Sequence, residues 1–406
     1  MSQLKISMNK RFRIGRVFGV FSLLASALMV LVGLLGCSGL NTTDQEIHSL
    51  EFNIYQQQAI RDLKTHRVFQ QLAQEDELIY NSPNEWTPKH IPEGSKPTKG
   101  ILLVHGLGDS PWSFSDLALV LSEQGFLVRT ILLPGHGTSP NDMLDVSAEQ
   151  WQEVVHQQAK QLEKDVSGKV YLGGFSTGAN LIIDYAYQHP SIAGLALFSP
   201  GFKSRVPFQW ITPALSKVKP WLITPYRDID VQSSVRYMTV PTNGFAQYYR
   251  TSVLAQKLLE KPYDKPVLIV ATEHDSVIDT PYLLEVFQHN FTHPDSRFIW
   301  YGKLPVEASD TSRILVRTDR IDAQRISQFS HMGVLFSPDN SLYGKQGTLR
   351  ICLNNMDAEE RKACENGSPL WFSAWGYHEE GKVHARLTYN PYFSWQNAVM
   401  LNVLGN

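Results

Sequence analysis

Residues 170–187 read VYLGGFSTGANLIIDYAY. Val170, Tyr171 and Leu172 form a short β-type apolar run, and residues 179–187 have a helical pattern. Between them lies Gly174-Phe175-Ser176-Thr177-Gly178, a GxSxG match set in a strand, a tight turn and a helix. Side chains at the two glycines would collide with neighbouring backbone in so sharp a turn, so glycine has a steric reason to be there. The expected consequence is a serine hydroxyl exposed at the end of a strand.

Around this stretch, short apolar runs alternate with longer helical segments. The runs cover residues 101–104, 126–133, 170–172, 193–198, 267–271 and 297–301. Near-continuous apolar runs suit strands covered on both faces, and the spacing suits crossover helices. The fold class expected is α/β: a mainly parallel sheet flanked by helices, over residues 100–406. Residues 201–262 break the rhythm with Pro and with aromatics such as Phe208, Trp210, Trp221, Tyr226, Tyr248 and Tyr249, and read as an inserted cap. Residues 44–80 have a helical period and read as an N-terminal helical arm, with a Pro-containing approach at 82–99. No internal repeat is evident, which removes solenoid architectures.

The whole chain has 406 residues, 43% hydrophobic and 19% charged, with 37 Lys and Arg against 39 Asp and Glu. That composition is globular rather than disordered or fibrous. Beyond the first sixteen residues no basic run could track a phosphate backbone, so no nucleic-acid partner is expected. In those sixteen, Lys5, Lys10, Arg11, Arg13 and Arg16 precede an uncharged stretch at 17–35, the order of a secretory signal. Leu34-Leu35-Gly36-Cys37 resembles a bacterial lipobox, which implies cleavage after residue 36 and lipid attached to Cys37; an uncleaved anchor helix is the alternative. Ser38 after that cysteine resembles the pattern of lipoproteins sent to the outer membrane, facing the periplasm. Cys352 and Cys364 remain as an even pair, which an oxidising compartment turns into a disulfide. Closing that loop contributes roughly 3 kcal/mol in the chain-entropy model.

On Gly174-Phe175-Ser176-Thr177-Gly178, His105-Gly106-Leu107-Gly108 and Leu133-Pro134-Gly135-His136-Gly137, the chain resembles the serine α/β-hydrolases, in the branch of monoacylglycerol lipases and related carboxylesterases. The resemblance implies Ser176 as nucleophile, with the N–H groups of Leu107 and Thr177 as oxyanion donors, and His105 as a positioning residue. It also implies the order serine, acid, histidine. Asp275 follows the run at 267–271 in the place the family uses, with Asp279 as competitor. His331 in Ser330-His331-Met332-Gly333 is the base expected, ahead of His274, His293, His378 and His384. The interval from Asp275 to His331 is long, and residues 305–328 read as a polar insertion after the last strand. A disulfide-stapled excursion and a final helix at 392–404 complete the tail.

These residues imply acyl-ester hydrolysis through an acyl-enzyme, with no metal or organic cofactor. An acyl ester or lipid is the substrate expected, with the cap aromatics as an apolar acyl pocket. Acyl transfer, thioester or peptide cleavage would use the same three side chains, and a catalytically silent envelope lipoprotein is the alternative from another class.

Overall fold

The computed structural model describes residues 51–405 except positions 93, 228–232, 307, 309 and 355–357. The expected signal segment and Cys37 lie outside the described residues. The described residues belong to one compact unit.

Eight strands form the main sheet: β1 (Asn84–Trp86), β2 (Lys99–Val104), β3 (Phe126–Ile131), β4 (Lys169–Phe175), β5 (Ile192–Phe198), β6 (Val267–Thr272), β7 (Arg297–Tyr301) and β8 (Ile314–Arg317). Their spatial order is β1-β3-β2-β4-β5-β6-β7-β8. Only β1 runs antiparallel to its neighbour; the remaining pairs are parallel. The chain leaves β2 toward one edge and returns past it to β4, so β2 and β4 lie side by side while their connections diverge. That divergence opens a crevice at the carboxyl ends of the two strands, where open α/β sheets place their sites.

Alternation along each strand divides the core into two layers. Leu102, Val104, Leu172, Leu195 and Leu197 pack on one face, under the helices Ala148–Asp165 and Thr177–Gln188. Ile101, Leu103, Phe175, Ala196 and Phe198 pack on the other, against the tail from Ile326 to Leu404. The tail is therefore one layer of the fold. It holds a small parallel pair, β9 (Leu370–Ser373) and β10 (Val383–Arg386), the disulfide Cys352–Cys364 with Cα atoms 5.7 Å apart, and the closing helix Phe393–Gly405.

Three sequence expectations change. Residues 305–328 are not simply an inserted polar loop, because they contain β8, the last strand of the main sheet. The approach at 82–99 contains the edge strand β1. The arm is two helices, Phe52–His66 and Gln74–Asn81, broken at 67–73. The break has an electrostatic cause. Arg67 turns inward to pair with Glu77, Nη2 to Oε2 at 2.7 Å, and both side chains are buried. Arg67 also donates to the carbonyls of Gly137 and Ser234, while Glu77 accepts the backbone N–H groups of Gln70 and Leu72. A buried ion pair is tolerable when hydrogen bonds surround it, and this one docks the arm on the domain.

Two histidines clasp the loops that follow β2 and β3. His105 Nε2 accepts the N–H of Leu133 at 3.2 Å, and His136 Nε2 accepts the N–H of Gly108 at 3.0 Å. Each ring donates its Nδ1 proton to a carbonyl, Gly106 and Pro134 respectively. Both must be neutral to act as acceptors. Burial agrees: it lowers His105 to about 4 and holds His136 well below the ordinary histidine value.

The buried ion pair and the two buried imidazoles each make stability testable. Glu77→Ala leaves the Arg67 guanidinium buried and unpaired, and should cost about 3 to 5 kcal/mol in a urea titration. Because the folded histidine values lie below the free value of about 6.5, the unfolded chain takes up protons first as pH falls. Stability should be insensitive to these groups above about pH 6.5 and decline toward pH 4, with His105 alone accounting for on the order of 3 kcal/mol. Urea midpoints at pH 7 and pH 5 check this, and His105→Asn should flatten the dependence.

Candidate active site

Ser176 stands between β4 and the helix Thr177–Gln188, with φ 53° and ψ −116°, a backbone conformation that an L-residue adopts only when held there. Its surroundings supply the hold. A Cβ added at Gly178 would stand 2.0 Å from the carbonyl oxygen of Val104, and one at Gly174 would stand 2.6 Å from the nitrogen of Ala179. Neither contact is possible, so glycine at 178 lets the helix approach β2 this closely, and glycine at 174 lets the chain turn sharply from β4 into that helix. The N–H of Ser176 donates to Phe198 at 3.0 Å, and its carbonyl accepts from Gly201.

The hydroxyl faces an imidazole. His331 Nε2 lies 3.0 Å from Ser176 Oγ, and His331 Nδ1 lies 2.6 Å from Asp275 Oδ2. Asp275 is fully buried in the turn after β6, and its other oxygen accepts the N–H groups of Val277 and Ile278 at 2.8 and 3.1 Å. A carboxylate fixed in this way accepts a hydrogen bond from Nδ1–H of His331 and holds the proton on that nitrogen, which leaves the Nε2 lone pair facing the serine hydroxyl. The ring of Phe175 lies 5.0 Å from that of His331 and covers one side of it.

The competing residues are occupied elsewhere. Asp279 caps the helix Thr280–Asn290 through the N–H of Tyr282 and pairs with Lys203 at 2.8 Å. His274 bonds Asp319, His378 pairs with Glu360, and His384 is buried against Ser327. His293 stays beside Asp295 in the turn before β7.

The loop after β2 lies directly against the serine: a Cβ at Gly106 would come within 3.2 Å of Ser176 Cβ. Leu107 is thus carried beside Ser176, and Thr177 opens the helix whose positive end faces the same place. The carbonyl of Gly108 accepts from Tyr237 at 2.6 Å, so the end of the cap also braces this loop.

Sequence reading missed two polar neighbours. Asp109 is buried, and burial raises its carboxyl, opposed by Arg236. Arg236 in turn directs Nη1 at the sulfur of Met332, 3.0 Å away and one residue from His331. No short motif marks either residue. Part of the expected acyl pocket is also corrected: Tyr248 is buried, but Phe208 and Trp210 point to solvent. Among the described residues, Glu273, His274 and Asp319 bring potential metal-ligand atoms within 4.8 Å of one another. In this structure they are engaged with each other and with the N–H of Lys303.

A family model described as serine aminopeptidase S33 matches residues 95–304. Over 96 residues the chain is 32% identical to a thermostable monoacylglycerol lipase of Bacillus sp. (strain H-257), an alignment covering 24% of this chain and 38% of that lipase. Among solved structures it is similar to one of the metagenome-derived lipolytic enzymes LipS and LipT, with TM-score 0.46 and 22% identity over 54% of this chain and 86% of the other. The monoacylglycerol lipase of Paleococcus ferrophilus gives TM-score 0.43 and 22% identity over 54% and 87%. Since the family model spans just over half of its residues, the chain belongs to the α/β-hydrolase family described as serine aminopeptidase S33.

Proposed function

We propose that this protein is a serine hydrolase that cleaves carboxylic esters of lipid-like acyl groups. The observation that carries the reading is the unbroken hydrogen-bonded line from Asp275 through His331 to Ser176. Ser176 attacks the acyl carbonyl as His331 takes its proton. Asp275 stabilises the imidazolium, and the N–H groups of Leu107 and Thr177 receive the oxyanion. The protonated His331 then gives its proton to the leaving alcohol, and water, activated by the same imidazole, releases the acid. A preorganised donor of the oxyanion type is worth about 3 to 4 kcal/mol, which gives the clasped loop after β2 a direct part in the rate.

Monoacylglycerol is the first substrate to test, since the partial relative that bears that name supports a lipid ester. The family description supports including an aminoacyl substrate beside it. The N-terminal sequence supports a place on the bacterial cell envelope, anchored by lipid on Cys37 and facing the periplasm from the outer membrane. Mass spectrometry of the mature N-terminus, with Cys37→Ser as control, tests the anchor.

Ser176→Ala should abolish labelling by a fluorophosphonate probe and reduce ester hydrolysis by about 10⁴- to 10⁶-fold; full labelling of that variant would refute the assignment. Asp275→Asn should keep the fold and lower kcat by about 10⁴-fold, because the amide favours the wrong imidazole tautomer. Turnover across matched ester, thioester and aminoacyl substrates, with glycerol as competing acceptor, identifies the leaving group and separates hydrolysis from acyl transfer.

A further inference from the structure

The tail layer holds a cavity that the triad does not use. It measures about 360 Å³, and its walls include Arg325, Lys345, Arg350, Leu370, Phe372 and Tyr389. That volume suits a small organic ligand. None of Ser176, Asp275 and His331 borders it, and every wall residue lies after the segment 95–304 that the family model matches. Its chemistry is therefore read from these residues alone.

The charge around the cavity is one-sided: three of its walls are cations and none is a carboxylate. Arg325 and Lys345 are exposed, and neither side chain has an acid partner among the described residues. Asp322, next to Ala323, is taken by Arg320 at 2.9 Å. Arg325 is carried beside Phe372, whose N–H donates to its carbonyl at 2.8 Å. Arg350 is half-buried, and its guanidinium stands 5.8 Å from the ring centre of Phe372. It donates to the carbonyls of Gly344 and Lys345 at 3.0 and 2.8 Å, which holds the turn that carries Lys345. A partly desolvated cation with no counter-charge is unfavourable, and an anion in this cavity would supply one. A second observation points to the same ligand. Tyr389 packs edge-to-face on Phe372 with ring centres 5.7 Å apart; it is fully buried, and its hydroxyl has no hydrogen-bond partner among the described residues. Buried hydroxyls are nearly always paired, so a donor remains for an occupant of the cavity that Tyr389 lines.

We propose that this cavity binds a phosphate monoester whose organic group is small and apolar or aromatic. Near neutral pH such a phosphate carries a charge of about −1.5 to −2 on three terminal oxygens, which suits three converging cations. Arg325, Lys345 and the uncommitted N–H groups of Arg350 meet those oxygens, the Tyr389 hydroxyl gains the acceptor that it lacks, and Leu370 and Phe372 receive the organic group. A carboxylate, with a single charge, would leave the cations less well matched. The site stands whether or not the reaction assigned above is correct, because its test does not read turnover.

Titration calorimetry of the full chain in phosphate-free buffer uses phenyl phosphate as the probe, with inorganic phosphate lacking the ring and benzoate lacking the phosphate. Phenyl phosphate should bind with a Kd of about 0.1 mM or below, roughly tenfold more tightly than either control. The double variant Arg325→Gln, Lys345→Gln should weaken it by about tenfold or more while melting at the wild-type temperature, as expected for lost charge-assisted hydrogen bonds. Tyr389→Phe should weaken it by about threefold or more at unchanged melting temperature, since the hydroxyl has no bond to lose in the free protein. Absence of binding at millimolar phenyl phosphate overturns the proposal. Wild-type affinity in either variant also overturns it, by putting the ligand elsewhere, and so does benzoate binding as tightly as phenyl phosphate. Vesicles of phosphatidylcholine with phosphatidic acid, added as competitor, separate two sources of the phosphate: displacement of the probe means that it is lipid-borne, and no displacement that it is soluble, and each outcome supports the site.

Discussion

The structure depends on how closely the helix Thr177–Gln188 can approach β2. Gly178 lies against the Val104 carbonyl and Gly174 against the backbone of Ala179, each at a separation that no Cβ could occupy. This approach forces Ser176 into its strained conformation, a cost of about 1 to 3 kcal/mol that only a surrounding core can sustain. The two buried layers on the sheet supply that core. Substituting Gly178 would move the helix away and substituting Gly174 would open the turn, and in either case the hydroxyl would no longer stand over the crevice between β2 and β4.

The loop beside the serine is fixed by a different means. Loops carry exposed backbone and are ordinarily the mobile part of a sheet protein. Here His105 and His136 each reach across to the backbone of the other loop, and Tyr237 and Arg67 hold the same pair from the cap and the arm. The arm, which from its period could equally have been a spacer, thus braces the Gly137 turn through Arg67. The cost is two buried imidazoles that must stay neutral and one buried ion pair that must stay complete.

The parts legible in the sequence are those whose physics is local. The apolar runs at β2 to β7 are buried on both faces, so a continuous hydrophobic stretch announces them, and the glycines at 174 and 178 mark the turn. β8 was hidden because it is an edge strand: Ile314 is buried, but Val316 and Arg317 face solvent, and the run reads as polar loop. β1, three residues with the sequence NEW, has the same difficulty. The break in the arm depends on Arg67 meeting Glu77, a pairing invisible to a helical period. Asp109 and Arg236 come together from segments more than a hundred residues apart, and no spacing rule connects them.

The long interval between Asp275 and His331 is where sequence distance misleads most. His331 is placed by the tail, which is why additional chain before it does no harm. Ser330 donates to the carbonyl of Leu387, and Ser199, just past β5, donates to the carbonyl of His331 at 2.9 Å. A Cβ at Gly333 would come 3.2 Å from the Leu387 side chain, so the turn packs closely on the same layer. The segment carrying His331 is therefore held between the end of β5 and the layer formed by residues 326–404. A loop that contains β8 can grow before His331 without altering that grip, because the strand returns to the sheet and resets the path. Geometry at the site is set by the two layers that meet there, and the number of residues between its members is free to vary.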